Sequence, residues 1–192
     1  MSPVAAQAIG DLRPDVEDAD GGLVGMRGGF SLKSYTAIVI VPLTVSASEI
    51  KDADDVLLAK DMAAYLQTQL IKNLQAAGIF GKVLDGTASG ELPAGSKVLR
   101  LEGQITRLTE GSQLERYFIG FGAGAAKAQI ETRLLDLQSQ RIEMVTADRR
   151  AAGLGIFGGD SRQFLTESMD QMAENYVKLL KHLAGGGRPG PR

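Results

Sequence analysis

Apolar residues recur along this chain with two different spacings, and the switches between them mark out the elements. Tyr35-Thr-Ala-Ile-Val-Ile-Val-Pro-Leu43 is β-branched and almost continuously apolar, which predicts a central strand covered on both faces. Pro42 removes a hydrogen-bond donor near its end. An acidic linker, Glu49 to Asp55, leads into a segment where Leu58, Met62, Leu66, Leu70, Leu74 and Ala77 recur at helical spacing. Lys60, Gln67 and Lys72 fall off that stripe, so the pattern predicts an amphipathic helix, with Gly78 as its C′ residue.

Phe80 to Leu84 reads as a short strand, followed by a glycine- and proline-bearing loop up to Ser96. Leu99, Leu101, Gly103 and Ile105 then alternate with Arg100, Glu102, Gln104 and Thr106, the mark of a half-exposed strand. Ala128, Ile130, Thr132 and Leu134 alternate in the same way, and Arg141 to Ala151 repeats the pattern after the short connection Gln138-Ser139-Gln140. The two runs predict a β-hairpin in which the numbers of paired residues add to about 278, so that Ala126 lies near Ala152. From Ser161 to Leu183, the stripe Leu165, Met169, Met172, Tyr176, Leu180 and Leu183 predicts a second helix, entered through a capping-box-like Asp160 and Gln163.

These elements give an α+β class in the order β-α-β-β-β-β-α, with two helices packed on one face of a mostly antiparallel sheet. The expected organisation is a flexible acidic and glycine-rich arm over residues 1–32, a single α+β domain over 33–184, and a disordered tail over 185–192. The hydrophobic share of 44% and charged share of 23% are ordinary for a globular chain. A net charge of −2 supplies no field that would collect nucleic acid, and no nucleic-acid partner is expected.

Cysteine is absent and His182 is the single histidine, which excludes disulfides, thiolate chemistry and the usual zinc sites. No cofactor, metal or catalytic residue is expected. Asp52, Asp54 and Asp55 could meet a hard cation, but capping and dipole compensation at a helix start are sufficient reasons for them. No run of about eighteen apolar residues occurs.

Two glycine-rich, apolar segments flank the hairpin: Arg116-Tyr-Phe-Ile-Gly-Phe-Gly-Ala-Gly-Ala-Ala126 and Gly153-Leu-Gly-Ile-Phe-Gly-Gly-Asp160. A phosphate loop needs Lys-Ser or Lys-Thr after its glycines and a helix to follow; here Lys127 precedes Ala128 and a strand pattern. The hairpin register brings both segments to one open end. There Tyr117, Phe118, Phe121, Leu154, Ile156 and Phe157 form a candidate partner-binding patch, with Arg116 and Arg150 at its rim. Several uses stand open for these side chains: contact with a protein partner, a second copy or a membrane, or closure of the chain's own core. The rim arginines, including Arg149, admit an anionic lipid headgroup or a glycan as well as plain solvation.

The Tyr-led strand ending in Val-Pro-Leu (Tyr35 to Leu43), Gly78-Ile-Phe80, Arg116 to Lys127 and Leu134-Leu-Asp-Leu137 together resemble a small bacterial family of outer-membrane-lipoprotein-like domains of unknown function. The resemblance runs from Lys33 to Leu183. It implies export, a lipid-anchored N-terminal cysteine and residence on the periplasmic side of the outer membrane, with peripheral membrane contact through that anchor. Neither a signal peptide nor a cysteine stands in this sequence. The envelope location is therefore expected if signal and lipidated cysteine preceded these residues, and a cytoplasmic one otherwise. The expected function is that of a non-enzymatic envelope domain for partner binding or assembly. A cytosolic small-ligand-binding or hydrolytic domain is the alternative, disfavoured by the missing nucleophile-base pair.

Overall fold

The computed structural model describes residues 12–47, 50–87, 95–109, 127–151 and 161–191. Eight strands form one mixed sheet: β1 (Val16–Asp18), β2 (Gly22–Met26), β3 (Ala37–Ile40), β4 (Thr44–Val45), β5 (Lys82–Asp85), β6 (Val98–Thr109), β7 (Lys127–Asp136) and β8 (Ile142–Ala151). Two long helices join them, α1 (Ala53–Ala77) and α2 (Ser161–Ala184). The strand order is β1-β2-β8-β7-β6-β3-β5, with β4 also paired to β6. The four ladders from β1 to β6 are antiparallel, whereas β3 and β4 run parallel to β6 and β3 runs parallel to β5. The α+β class and the two helices on one face stand as the sequence pattern predicts.

Of the predicted strand from Tyr35 to Leu43, only Ala37–Ile40 pairs as β3, and pairing resumes beyond it in β4 (Thr44–Val45). Ile40 pairs with Leu101 and Thr44 with Gln104, so one residue more is spent on the β3–β4 side than on β6. Pro42 sits in that bulge, where its missing N–H costs no ladder bond, while Val41 and Ser46 donate to Leu101 and Ile105 on either side. A second bulge at Thr106 shifts the β6 register between Ile105 and Arg107. It explains how Leu99, Leu101, Ile105 and Leu108 can all be buried although strict alternation would turn Leu108 outward.

The inner face of the sheet carries Ile38, Ile40, Leu99, Leu101, Ile130, Leu134 and Met144, packed against both helices in one core. The α1 stripe is buried as predicted except that Ala77 is only partly so, and Gly78 ends the helix in the left-handed region at φ 64°. Gln67, expected off the stripe, is buried because its amide donates to the Asp85 carboxylate at 3.1 Å and to the Ile40 carbonyl at 3.4 Å. The Tyr65 hydroxyl donates to Asp170 at 2.8 Å and fastens α1 to α2. On the outer face Glu102 pairs with Arg100 and Arg133, a charged surface suited to water.

The arm expected over residues 1–32 is corrected for its second half. β1 and β2 form a hairpin whose second strand pairs with β8, Val24 opposite Thr146 and Met26 opposite Met144. Val24 is fully buried, and the turn is held by the Asp18 carboxylate, which accepts the Asp20 and Gly21 N–H groups, both at 2.9 Å. Gly25 lets the backbone of Arg13 cross the sheet so closely that a Cβ there would stand 2.0 Å from the Arg13 carbonyl oxygen. The C-terminal tail, expected to be loose, is also tied back: the Gly190 N–H donates to Asp18 Oδ2 at 2.9 Å.

Candidate functional site

The β6–β7–β8 ladders give the upper end of the sheet its geometry. Thr109 pairs with Lys127, and Lys127 pairs with Ala151, so three strand ends stand side by side. Pairs from Lys127–Ala151 to Leu134–Met144 add to 278, the register that the Gln138–Gln140 connection predicts. Segments 110–126 and 152–160 are therefore joined to adjacent positions at one end of the sheet. Arg116, Tyr117, Phe118, Phe121, Leu154, Ile156 and Phe157, like Asp160 of the expected capping box, lie outside the described residues.

Arg150 is the one predicted patch residue that the structure locates. It pairs with Ala128 on β7, is half-buried, and donates to Asp148 Oδ2 at 3.0 Å, while Arg149 is exposed. Among the described residues the buried Nε of Arg150 has no hydrogen-bond partner. The same is true of the Thr106 hydroxyl in the β6 bulge. Orphaned polar atoms are costly to bury, and these two lie within the last strand turns before the undescribed segments.

Midway along the sheet, a cavity of about 30 Å³ lies between Leu66 and Leu70 of α1, Met172 and Tyr176 of α2, and Thr132 and Thr146 of the sheet. The two threonine hydroxyls bond each other at 2.6 Å. Among the described residues the Tyr176 hydroxyl makes no hydrogen bond of ordinary geometry, and burial pushes its pKa well above that of a free phenol. The volume suits a water molecule or two.

The other motifs resolve into local roles. Asp52 caps α1 by accepting the N–H groups of Asp54 at 2.9 Å and Asp55 at 3.3 Å, the capping reading of the acidic set. Gln163 spends its amide on Glu167 at 2.8 Å. His182 approaches the Arg188 carbonyl at 3.1 Å, in the turn that brings the tail back. Among the described residues no group of three His, Asp or Glu side chains is arranged to hold a metal ion, and no helix is long and apolar enough to cross a membrane.

Sequence reasoning misses a polar cluster at the opposite, lower end of the sheet. The buried Tyr35 hydroxyl donates to Asp136 Oδ2 at 2.8 Å, while the N–H groups of Gln138 and Ser139 reach Oδ1 at 2.8 and 3.0 Å. Burial opposes ionisation of Asp136, but these donors and Lys97 outweigh it and hold the carboxyl below its ordinary value. Burial, reinforced by Asp136, pushes the Tyr35 phenol upward, so it remains a donor. One local signal exists: Asp136 opens the hairpin turn, where an aspartate habitually accepts N–H groups two and three residues on. Nothing local links it to Tyr35.

Residues 38–159 match the model of a family described as "Domain of unknown function (DUF4410)". No curated protein matches the chain. Among solved structures, a PelC dodecamer from Paraburkholderia phytofirmans is similar, with a TM-score of 0.51 and 14% identity over 83% of this chain and 98% of that one. Protein XCC0632 from Xanthomonas campestris, of family DUF330, is similar with a TM-score of 0.52 and 11% identity over 84% of this chain and 91% of that one. At such identity the likeness concerns the fold alone. A minor lipoprotein from Acinetobacter baumannii is similar at a TM-score of 0.40 and 12% identity, over 79% of this chain and 94% of that one, too loosely to carry an argument.

Proposed function

The chain belongs to the DUF4410 family of unknown function, and from that premise we propose that it is a non-enzymatic domain of the bacterial cell envelope that works by contact with protein, a second copy of itself included. The contact surface is the composite of the two glycine-rich segments, with Tyr117, Phe118, Phe121, Leu154, Ile156 and Phe157 as its apolar part and Arg116 and Arg150 at its rim. The observation that carries this reading is the pairing of Thr109, Lys127 and Ala151, which roots both segments at one end of the sheet. Apolar side chains on glycine-rich backbone suit a surface that adapts to a partner. The dodecamer formed by PelC, which shares the fold, supports self-association as the form of that contact. The sequence resemblance to lipoprotein-like domains supports the periplasmic side of the outer membrane as the location.

Light scattering on the chain carrying Phe121→Ser and Phe157→Ser, beside a urea melt, tests the contact. A fall from an assembled mass to a monomer with the unfolding midpoint kept is the expected result. A monomeric parent chain rules out self-association, and a variant that loses its fold in place of its partners overturns the contact reading and makes these side chains core. The location has its own test in the DNA upstream of Met1. An in-frame signal ending in a lipid-modified cysteine is expected, and a ribosome-binding site immediately before Met1 would sink the envelope assignment.

A further inference from the structure

The lower end of the sheet, opposite the strand ends at Thr109, Lys127 and Ala151, holds a polar hollow of about 100 Å³. Its walls are the Gly28–Ser31 turn, Ser34, Tyr35, Lys97, Arg141 and Glu143. Two buried carboxylates stand at this end and both are already served. Asp136 takes the Tyr35 hydroxyl and two backbone N–H groups, and Glu143 stands 3.2 Å from an Arg141 nitrogen and 3.9 Å from Arg27 Nε.

Three cations, Arg27, Lys97 and Arg141, face these two carboxylates. Arg27 is turned inward, its Nε donating to the Ile142 carbonyl at 3.0 Å. Lys97 is different: its ammonium lies 4.7 Å from the Tyr35 ring centroid and 3.9 Å from Asp136 Oδ2, beyond hydrogen-bond reach of either. Arg141 engages Glu143 through one nitrogen while 62% of its side chain is exposed. Ser31 stands at the N-cap of the 3₁₀ turn Leu32–Ser34, yet its hydroxyl makes no capping bond.

We propose that this hollow binds a tetrahedral oxyanion of the phosphate class, as a free phosphoester or as the headgroup of an anionic lipid. Arg141 offers a planar fork of donors, Lys97 a mobile ammonium, and Ser31 and Ser34 hydroxyls from the facing wall. That arrangement meets acceptors pointing in several directions, which a planar carboxylate does not present. Charge-assisted hydrogen bonds from Lys97 and Arg141 to an anion are stronger than those between neutral groups and favour the ligand further. The proposal stands apart from the contact surface at the other end of the sheet.

Calorimetric titration of the full chain with inorganic phosphate, against chloride at matched ionic strength, tests it. Saturable binding is expected, weakened about tenfold by Lys97→Met and by Arg141→Gln individually. Both positions are solvent-facing, and a circular dichroism melt verifies that each variant stays folded. Absence of saturable binding, or equal binding by the folded double variant, overturns the proposal. Sedimentation with phosphatidylglycerol vesicles, against phosphatidylcholine vesicles, separates the sources. Cosedimentation lost in the double variant identifies a lipid headgroup, whereas phosphate binding without cosedimentation identifies a soluble phosphoester.

Discussion

Replacing Tyr35 with Phe removes one oxygen from the centre of the lower cluster and leaves the ring's packing against Phe30 intact. Tyr35 is 5% exposed and Asp136 3%, so no bulk water replaces the lost donor. Asp136 Oδ1 keeps both backbone N–H groups, but Oδ2 is left with Lys97 at 3.9 Å. A hydrogen bond to a charged acceptor contributes about 1.5–3 kcal/mol, so Tyr35→Phe should destabilise by that amount at pH 7, a fall of roughly 3 to 12 °C in Tm. The effect also has a pH signature. Asp136 is held below its ordinary value of 3.8 in the folded state, so its ionisation contributes stability above that value and loses it as the pH falls through the lower folded one. Removing the Tyr35 donor raises the folded-state value toward 3.8, so the gap between parent and variant should hold from pH 7 to about pH 5 and narrow in acid. Urea unfolding followed by circular dichroism from pH 7 down to about pH 2.5 measures both. A gap under about 0.5 kcal/mol at pH 7, or one undiminished in acid, would refute the reasoning.

Two further outcomes follow from the N-terminal hairpin. Gly25→Ala places a methyl group 2.0 Å from the Arg13 carbonyl, so the crossing segment must lift. A loss of more than about 1 kcal/mol is expected, with faster hydrogen exchange confined to residues near Arg13 and β2; unchanged exchange there would contradict the close approach. Asp18→Asn must turn its NH₂ toward either the turn donors or Gly190, since both carboxylate oxygens accept N–H groups. Either the Gly190 amide or those of Asp20 and Gly21 should then exchange about tenfold faster or more, and unaltered rates at all three would show that turn and tail are held by other means.

The hairpin register was readable because a short polar connection fixes which residues face each other, and the pairs from Lys127–Ala151 to Leu134–Met144 follow it, with one shift between Leu134 and Leu135. The helix stripes were readable for a similar reason, their burial being periodic. Pro42 announced a strand end, but not that β4 would resume on the same partner after one bulged residue. β1 and β2 escaped notice because Leu23, Val24 and Met26 are interleaved with glycines, and their partner β8 lies at the far end of the sequence. Phe80, expected in a strand, is buried just before β5 begins at Lys82. The lower hollow draws its walls from the Gly28–Ser31 turn, the 3₁₀ turn, the start of β6 and the start of β8. No spacing in a linear sequence joins those segments; only the sheet does.

The pairing of β2 with β8 also sets a timetable for the making of this protein. A chain that emerges from the ribosome N-terminus first displays the Val16–Met26 hairpin long before Thr146, the partner of Val24, has been synthesised. A lone two-stranded hairpin is marginal in water, so this piece idles as open chain until the last strand arrives. The docking of the Val16–Met26 hairpin is thus a late step of assembly, and a nascent or truncated chain lacking β8 carries an unfinished sheet edge that marks it as incomplete.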